Sequence, residues 1–194
     1  MRSGARAVLL GAALLLIPAH AHALVQVVGS GLAHDCYLSA KAGNEPLVGI
    51  ATCDEALREE ALGPQQRAGT YINRGVIKAA LNRIDDAMQD YNEGIRIKPE
   101  LGDGYVDRGA ALIRLQRYDE AMTDINKGMT LGLSFEHVGY YNRGVAEFYM
   151  GRIKESYYDY KKALEIAPDF APAAAQLKNF VVTKVPATPK PPEP

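Results

Sequence analysis

The chain has 194 residues, 22 of them Lys or Arg and 23 Asp or Glu, for a formal net charge of -1. At 23% charged and 47% hydrophobic residues, the composition excludes a disordered or collagen-like chain. Near-neutral charge gives no electrostatic reason to expect nucleic acid as a partner, and two cysteines are too few for a disulfide framework but enough for one bridge.

Residues 1–23 read as a secretory leader. Arg2 and Arg6 form a basic start, Ala7 to Ile17 is an apolar run ended by Pro18, and Ala21-His22-Ala23 is a small-x-small cleavage site. The run is shorter than the roughly 20 residues a membrane-spanning helix needs. No cysteine stands at the cut, so a lipid anchor there is not indicated. The expectation is cleavage after Ala23, a periplasmic or secreted location, and no stable membrane insertion afterwards. Export bears on Cys36 and Cys53. They are either two small buried thiols or one disulfide, and an oxidising compartment favours the disulfide. A chain-entropy estimate for so short a loop is about 3 kcal/mol.

Three later segments align with one another. Tyr71-Ile72-Asn73-Arg74-Gly75, Tyr105-Val106-Asp107-Arg108-Gly109 and Tyr140-Tyr141-Asn142-Arg143-Gly144 recur at intervals of 34 and then 35 residues. A second motif follows each at a fixed offset: Ala87-Met88-Gln89-Asp90-Tyr91, Ala121-Met122-Thr123-Asp124-Ile125 and Ser156-Tyr157-Tyr158-Asp159-Tyr160. Pro99 and Pro168 close the first and third units, and Leu133 takes that place in the second.

This pattern resembles the tetratricopeptide repeat, a 34-residue helix–turn–helix unit. The resemblance covers three full units, 68–101, 102–135 and 137–170. It implies an all-α solenoid of about eight helices with a further capping helix. Small residues at repeat positions 8, 20 and 27 let antiparallel helices approach closely. Bulky residues at 4 and 24 fill the space between units. A terminal proline stops the second helix, and each unit hides its apolar face against the next.

Residues 24–67 fit a degenerate copy of the same hairpin. Aligning Ile50 to Leu57 with Met88 to Ile95 puts Cys53 at repeat position 24 and Cys36 at position 7. In that register the two cysteines face each other across the hairpin, so a bridge pins its helices where packing residues are weak. Two free core thiols are the alternative. In the full units position 7 is Arg74, Arg108 or Arg143 and position 23 is Asp90, Asp124 or Asp159. The same charge combination three times points to an ion pair across each hairpin, against the alternative of arginines that face solvent and bind an acidic ligand. Residues 171–182 carry Ala173, Leu177 and Phe180 at helical spacing and read as the capping helix. The proline-rich stretch 183–194 reads as a disordered tail.

No nucleophile elbow, phosphate loop, Cys-x-x-Cys or His-x-x-x-His spacing occurs, so no catalytic residue, metal ligand or cofactor is expected and the chain is read as a non-enzyme. The resemblance implies instead a groove lined by the first helix of each unit, which takes a peptide or helix of a partner protein. Carried over by position, its lining is Ile72, Asn73 and Val76; then Asp103, Val106, Asp107, Ile113 and Arg114; then Val138, Tyr141, Asn142, Val145, Phe148 and Tyr149. Asn73, Asp107 and Asn142 share one repeat position and form a ladder suited to an extended peptide backbone. Phe148 and Tyr149 serve equally as packing under the cap. The basic residues with which chaperone-tail receptors of this family clamp two carboxylates are missing, since positions 5 and 9 hold Ile72, Val106, Tyr141, Val76, Ala110 and Val145. The reading is a periplasmic adaptor. The alternatives are an accessory subunit of an envelope enzyme complex and a self-associating structural protein.

Overall fold

The computed structural model describes residues 5–9 and 22–184. Among these lie nine helices: α1 (Leu32–Ala42), α2 (Pro46–Glu59), α3 (Pro64–Ala80), α4 (Ile84–Ile97), α5 (Gly102–Arg114), α6 (Tyr118–Leu131), α7 (Glu136–Tyr149), α8 (Ile153–Ile166) and α9 (Ala171–Leu177). They form an all-α helical-hairpin solenoid. Successive helices pair as α1–α2, α3–α4, α5–α6 and α7–α8, and each hairpin leans on the next through its neighbouring helices.

Local chemistry sets the helix ends. Proline opens α2 and α3, where the missing N–H would be unpaired in any case. Asp85 and Asp86 in α4, and Asp119 and Glu120 in α6, place negative charge on the positive end of the helix dipole. The turn inside each full unit passes through a left-handed residue at one repeat position: Asn82 at φ 63°, Gln116 at φ 60° and Gly151 at φ 75°.

Close helix approach explains the glycines at position 8. A Cβ on Gly75 would stand 2.6 Å from Cε1 of Tyr91, and one on Gly109 would stand 2.6 Å from Cγ1 of Ile125. Tyr91, Ile125 and Tyr160, the bulky residues of position 24, are fully buried as a result. The largest core cluster runs from α5 to α9 and joins Ile113, Ile125, Tyr141, Val145, Tyr160 and Ala173.

The N-terminal hairpin is held differently. Cys36 in α1 and Cys53 in α2 form a disulfide with Cα atoms 4.8 Å apart, and both residues are fully buried. Glu60 receives the N–H groups of Leu32 and Ala33 at 2.7 and 3.0 Å, which caps the start of α1.

The C-terminal end departs from the expected helix over 171–182. α9 stops at Leu177, and Phe180–Lys184 is a strand, β2, paired antiparallel with β1 (Ala5–Leu9) so that Phe180 lies opposite Leu9 and Lys184 opposite Ala5. The β-branched run Val181-Val182-Thr183 favours that conformation over helix. The tail expected over 183–194 therefore begins in a strand, and its residues 185–194 lie outside the described residues. Most of the expected leader, 10–21, lies outside them as well.

Candidate functional site

The first helices of successive hairpins, α3, α5 and α7, contact one another in a row. Across this row runs the segment from His22 to Val28. Ala23, Val25 and Val27 are buried to 0%, 2% and 3% exposure, while Gln26 and Val28 are exposed. Burial at every second residue is the signature of an extended chain with one face down.

Asn73 of α3 grips this chain by its backbone. Its Oδ1 accepts the N–H of Val25 at 3.1 Å, and its Nδ2 donates to the carbonyl of Val25 at 2.8 Å. Asp107, one unit further on α5, accepts the N–H of Ala23 at 2.9 Å through Oδ1. His22 Nδ1 lies 3.5 Å from the same oxygen. Burial pushes the Asp107 pKa up, and the contacts from His22 and Ala23 pull it back. At the other end of the segment, the carbonyl of Val27 is 2.6 Å from Nδ1 of His34, which donates to it. The side chains sit in matching clusters: Ala23 against Val106 and Val138, Val25 against Ile72 and Val76, Val27 against Ala33, Tyr37 and Ala56.

The predicted groove residues therefore divide. Asn73, Val76, Val106, Asp107 and Val138 meet the extended segment. Ile72 also fills the gap between hairpins, where a Cβ on Gly94 or Gly104 would stand within 2.8 Å of it. Ile113, Tyr141 and Val145 belong to the interior, with Tyr141 edge-on to Phe170 below α9. Phe148 packs edge-on to Tyr149 and Phe180, and Tyr149 stacks on Tyr118 at 5.2 Å. Asp103 receives both the N–H and the hydroxyl of Ser134 at 2.9 Å and so fastens the loop before α7; burial lifts its pKa to about 6. Arg114 donates to the carbonyl of Ala79 and to Asn82 Oδ1, tying α5 to the end of α3. Asn142 is buried at 1% exposure.

The position-7 arginines build a repeated clasp. Arg74 donates through Nε and Nη2 to the two carboxylate oxygens of Asp90, at 2.9 and 2.6 Å. Arg108 does the same to Asp124 at 2.7 and 2.8 Å, and Arg143 to Asp159 at 2.6 and 2.8 Å. A third contact was not foreseen from the sequence. Nη1 of each arginine reaches back to the preceding hairpin, to Asp54, Asn92 and Asn126 respectively. These three residues share repeat position 25, a signal that was available in the alignment. Each guanidinium also lies over the tyrosine of position 4, at 5.2 to 5.6 Å from the ring centre. One arginine thus ties two helices of its own unit to the unit before.

Comparison with known families fits this geometry. Residues 68–101 and 137–170 each match a family model described as the tetratricopeptide repeat. The chain is a tetratricopeptide-repeat protein. Residues 102–135 build the same repeat hairpin from α5 and α6, with Leu133 where its neighbours have proline. The first repeat domain of human RPAP3 is similar at 26% identity over 60% of this chain and 90% of that one, with a TM-score of 0.55. So is the first repeat domain of Spaghetti (RPAP3), solved with the HSP90 peptide SRMEEVD, at 26% identity over 58% of this chain and 89% of that one, with a TM-score of 0.53. MamA from Desulfovibrio magneticus RS-1 shares the fold over 77% of this chain and 84% of its own, at 16% identity and a TM-score of 0.56. No curated protein sequence gives a match.

Proposed function

We propose that this protein is a non-catalytic scaffold, exported to the periplasm, that holds an extended segment of a partner protein across α3, α5 and α7. The observation that carries the reading is the two-point grip of Asn73 on a backbone N–H and carbonyl, continued one unit on by Asp107. A carboxamide that pairs with both groups of one residue reads chain direction and extension without reading side chains. Peptide binding by the RPAP3 domain supports the use of such a row for a protein ligand. The ligand differs in kind. A fully buried carboxylate at the centre of this row, Asp107, repels an acidic peptide end, and aliphatic Val76, Val106 and Val138 line the neighbouring seats.

Export rests on the basic start, apolar run and Ala21-His22-Ala23 of the leader. The Cys36–Cys53 disulfide suits the same compartment, since structural disulfides persist where conditions are oxidising. The test is affinity capture from a periplasmic extract with the parent chain and with Asn73→Ala/Asn142→Ala. Loss of a reproducible partner band in the double variant is expected; equal capture by both chains contradicts the reading.

A further inference from the structure

The row that is built to hold a partner's backbone already holds a backbone of its own. We propose that residues 23–27 are the groove's cis ligand, that a partner segment enters only when this segment leaves, and that the partner segment shares its chemistry: extended, without acidic side chains, with a small or β-branched side chain at every second residue. The proposal rests on the scaffold reading above and adds to it the regulation and the ligand class of the same site.

Three observations support it. First, the seats are cut to small side chains. Val25 lies over Gly69 of α3, where a Cβ would stand 2.8 Å from Cγ1 of Val25 and 3.3 Å from Cγ2 of Val27. The bare backbone of Gly69 is therefore what lets the strand come down onto α3. Ala23 sits fully buried between Val106 and Val138. Second, the polar contacts are to main chain at alternate residues, Ala23 and Val25, so any strand of the same shape satisfies them. Negative charge is disfavoured at the centre because Asp107 is fully buried and its Oδ2 has no hydrogen-bond partner among the described residues. Third, the strand is hinged. It joins α1 through Gly29 and Gly31, at φ +123° and +116°, with nothing within 4 Å of a Cβ built on Gly29 and with Val28 76% exposed. Gly29, in open space, lets the segment swing out, while Gly31 stays against Glu60 at the capped start of α1.

Tethering through a short linker gives the cis strand an effective concentration in the millimolar range, which a partner at micromolar concentration has to overcome. Cleavage after Ala23 would remove the residue bonded to Asp107 and leave the Asn73 seat filled by Val25. In the processed chain residues 24–27 would remain as the cis ligand, held by Asn73 through Val25, and the Asn73 seat would still open only when they leave.

The test uses a fluorescent synthetic peptide of residues 22–28, acetylated and amidated at its ends, and anisotropy titrations against the full chain and its Val25→Asp/Val27→Asp variant. The two aspartates eject the cis strand and leave the seats unchanged. The variant is expected to bind the peptide at least about tenfold more tightly than the parent, and adding Asn73→Ala or Gly69→Leu abolishes that gain. Equal affinities for parent and variant overturn the proposal, as does failure of a variant with parental helical circular dichroism to bind. If the variant does not fold, amide hydrogen exchange in the parent decides. Protection of the Val25 N–H above that of a free peptide but below that of α3 supports the proposal, because the segment is then bound yet opens by itself; protection equal to that of α3, or exchange at the rate of a free peptide, overturns it. A cis strand that fails these tests while Asn73→Ala/Asn142→Ala still loses its captured partner would leave the scaffold reading standing alone.

Discussion

Removing one arginine clasp tests how the hairpins are joined. Arg108 holds Asp124 at two points, reaches Asn92 of the preceding hairpin at 2.8 Å, and covers the Tyr105 ring. Its side chain is 23% exposed and that of Asp124 12%, so the pair stands between a surface and a buried ion pair. The hydrogen bond to Asp124 raises the pKa of Arg108, as expected of a pair stabilised in its charged form. Exposed pairs are worth about 0–1 kcal/mol, whereas breaking a buried one costs about 3–5 kcal/mol. Arg108→Ala should therefore cost about 2 kcal/mol, or about 4–8 °C in Tm for a chain of this size. Urea unfolding followed by circular dichroism measures it, with Asp124→Ala and the double variant completing a cycle. A coupling energy of about 1–2 kcal/mol is expected. An additive cycle, or an unchanged midpoint in Arg108→Ala, would refute the structural role of the clasp.

Other predictions follow from packing, crosslinking and charge. Gly109→Ala adds a Cβ 2.6 Å from Ile125 and 3.2 Å from the Ala121 carbonyl; it should cost about 1–3 kcal/mol despite the better helix propensity of Ala, and a rise in the urea midpoint would contradict the packing argument. Replacing both cysteines by serine should lower stability by about 3 kcal/mol, and reductant should lower the Tm of the parent while leaving the variant unmoved. Burial holds Asp103 at about 6 and Glu147 at about 7, both above the ordinary carboxylate range. The folded chain then binds more protons than the unfolded chain between roughly pH 4 and 7. These groups stabilise fully below their unfolded pKa values, and that contribution is lost as pH rises through 6 and 7. Tm should accordingly fall from pH 5 to 7.5, with a shallower fall in Asp103→Asn. A Tm that rises over that range, or an unchanged slope in the variant, would count against it.

The solenoid was legible because its constraints recur. Gly75 and Gly109 repeat since the residue of position 24 must lie against bare backbone, and Arg–Asp combinations repeat since every hairpin is clasped at one height. Residues serving one contact only were harder to read. Ile72 and Tyr141 share a repeat position assigned to the groove, but that position also points between hairpins, and packing against Gly94 or Phe170 takes them inward. Asp103 and Arg114 stand at repeat positions that line the groove in the family, yet each satisfies a loop or helix end nearby. The extended segment at residues 23–27 carries no repeat register and straddles the expected cleavage site, so nothing in its alternation tied it to Asn73. β2 escaped for the opposite reason: the alanines before it extend a helical pattern that Val181-Val182-Thr183 does not sustain.

Photocrosslinking in cells tests most directly whether the first-helix face holds a partner. An azide-bearing phenylalanine replaces Tyr149, at the end of α7, or Tyr158, on the outer side of α8; both tyrosines are part-exposed, at 40% and 49%, and both exchanges conserve size. The account predicts a discrete adduct with another protein from position 149 and none from position 158. The same adduct from both positions, or one from position 158 alone, would contradict it.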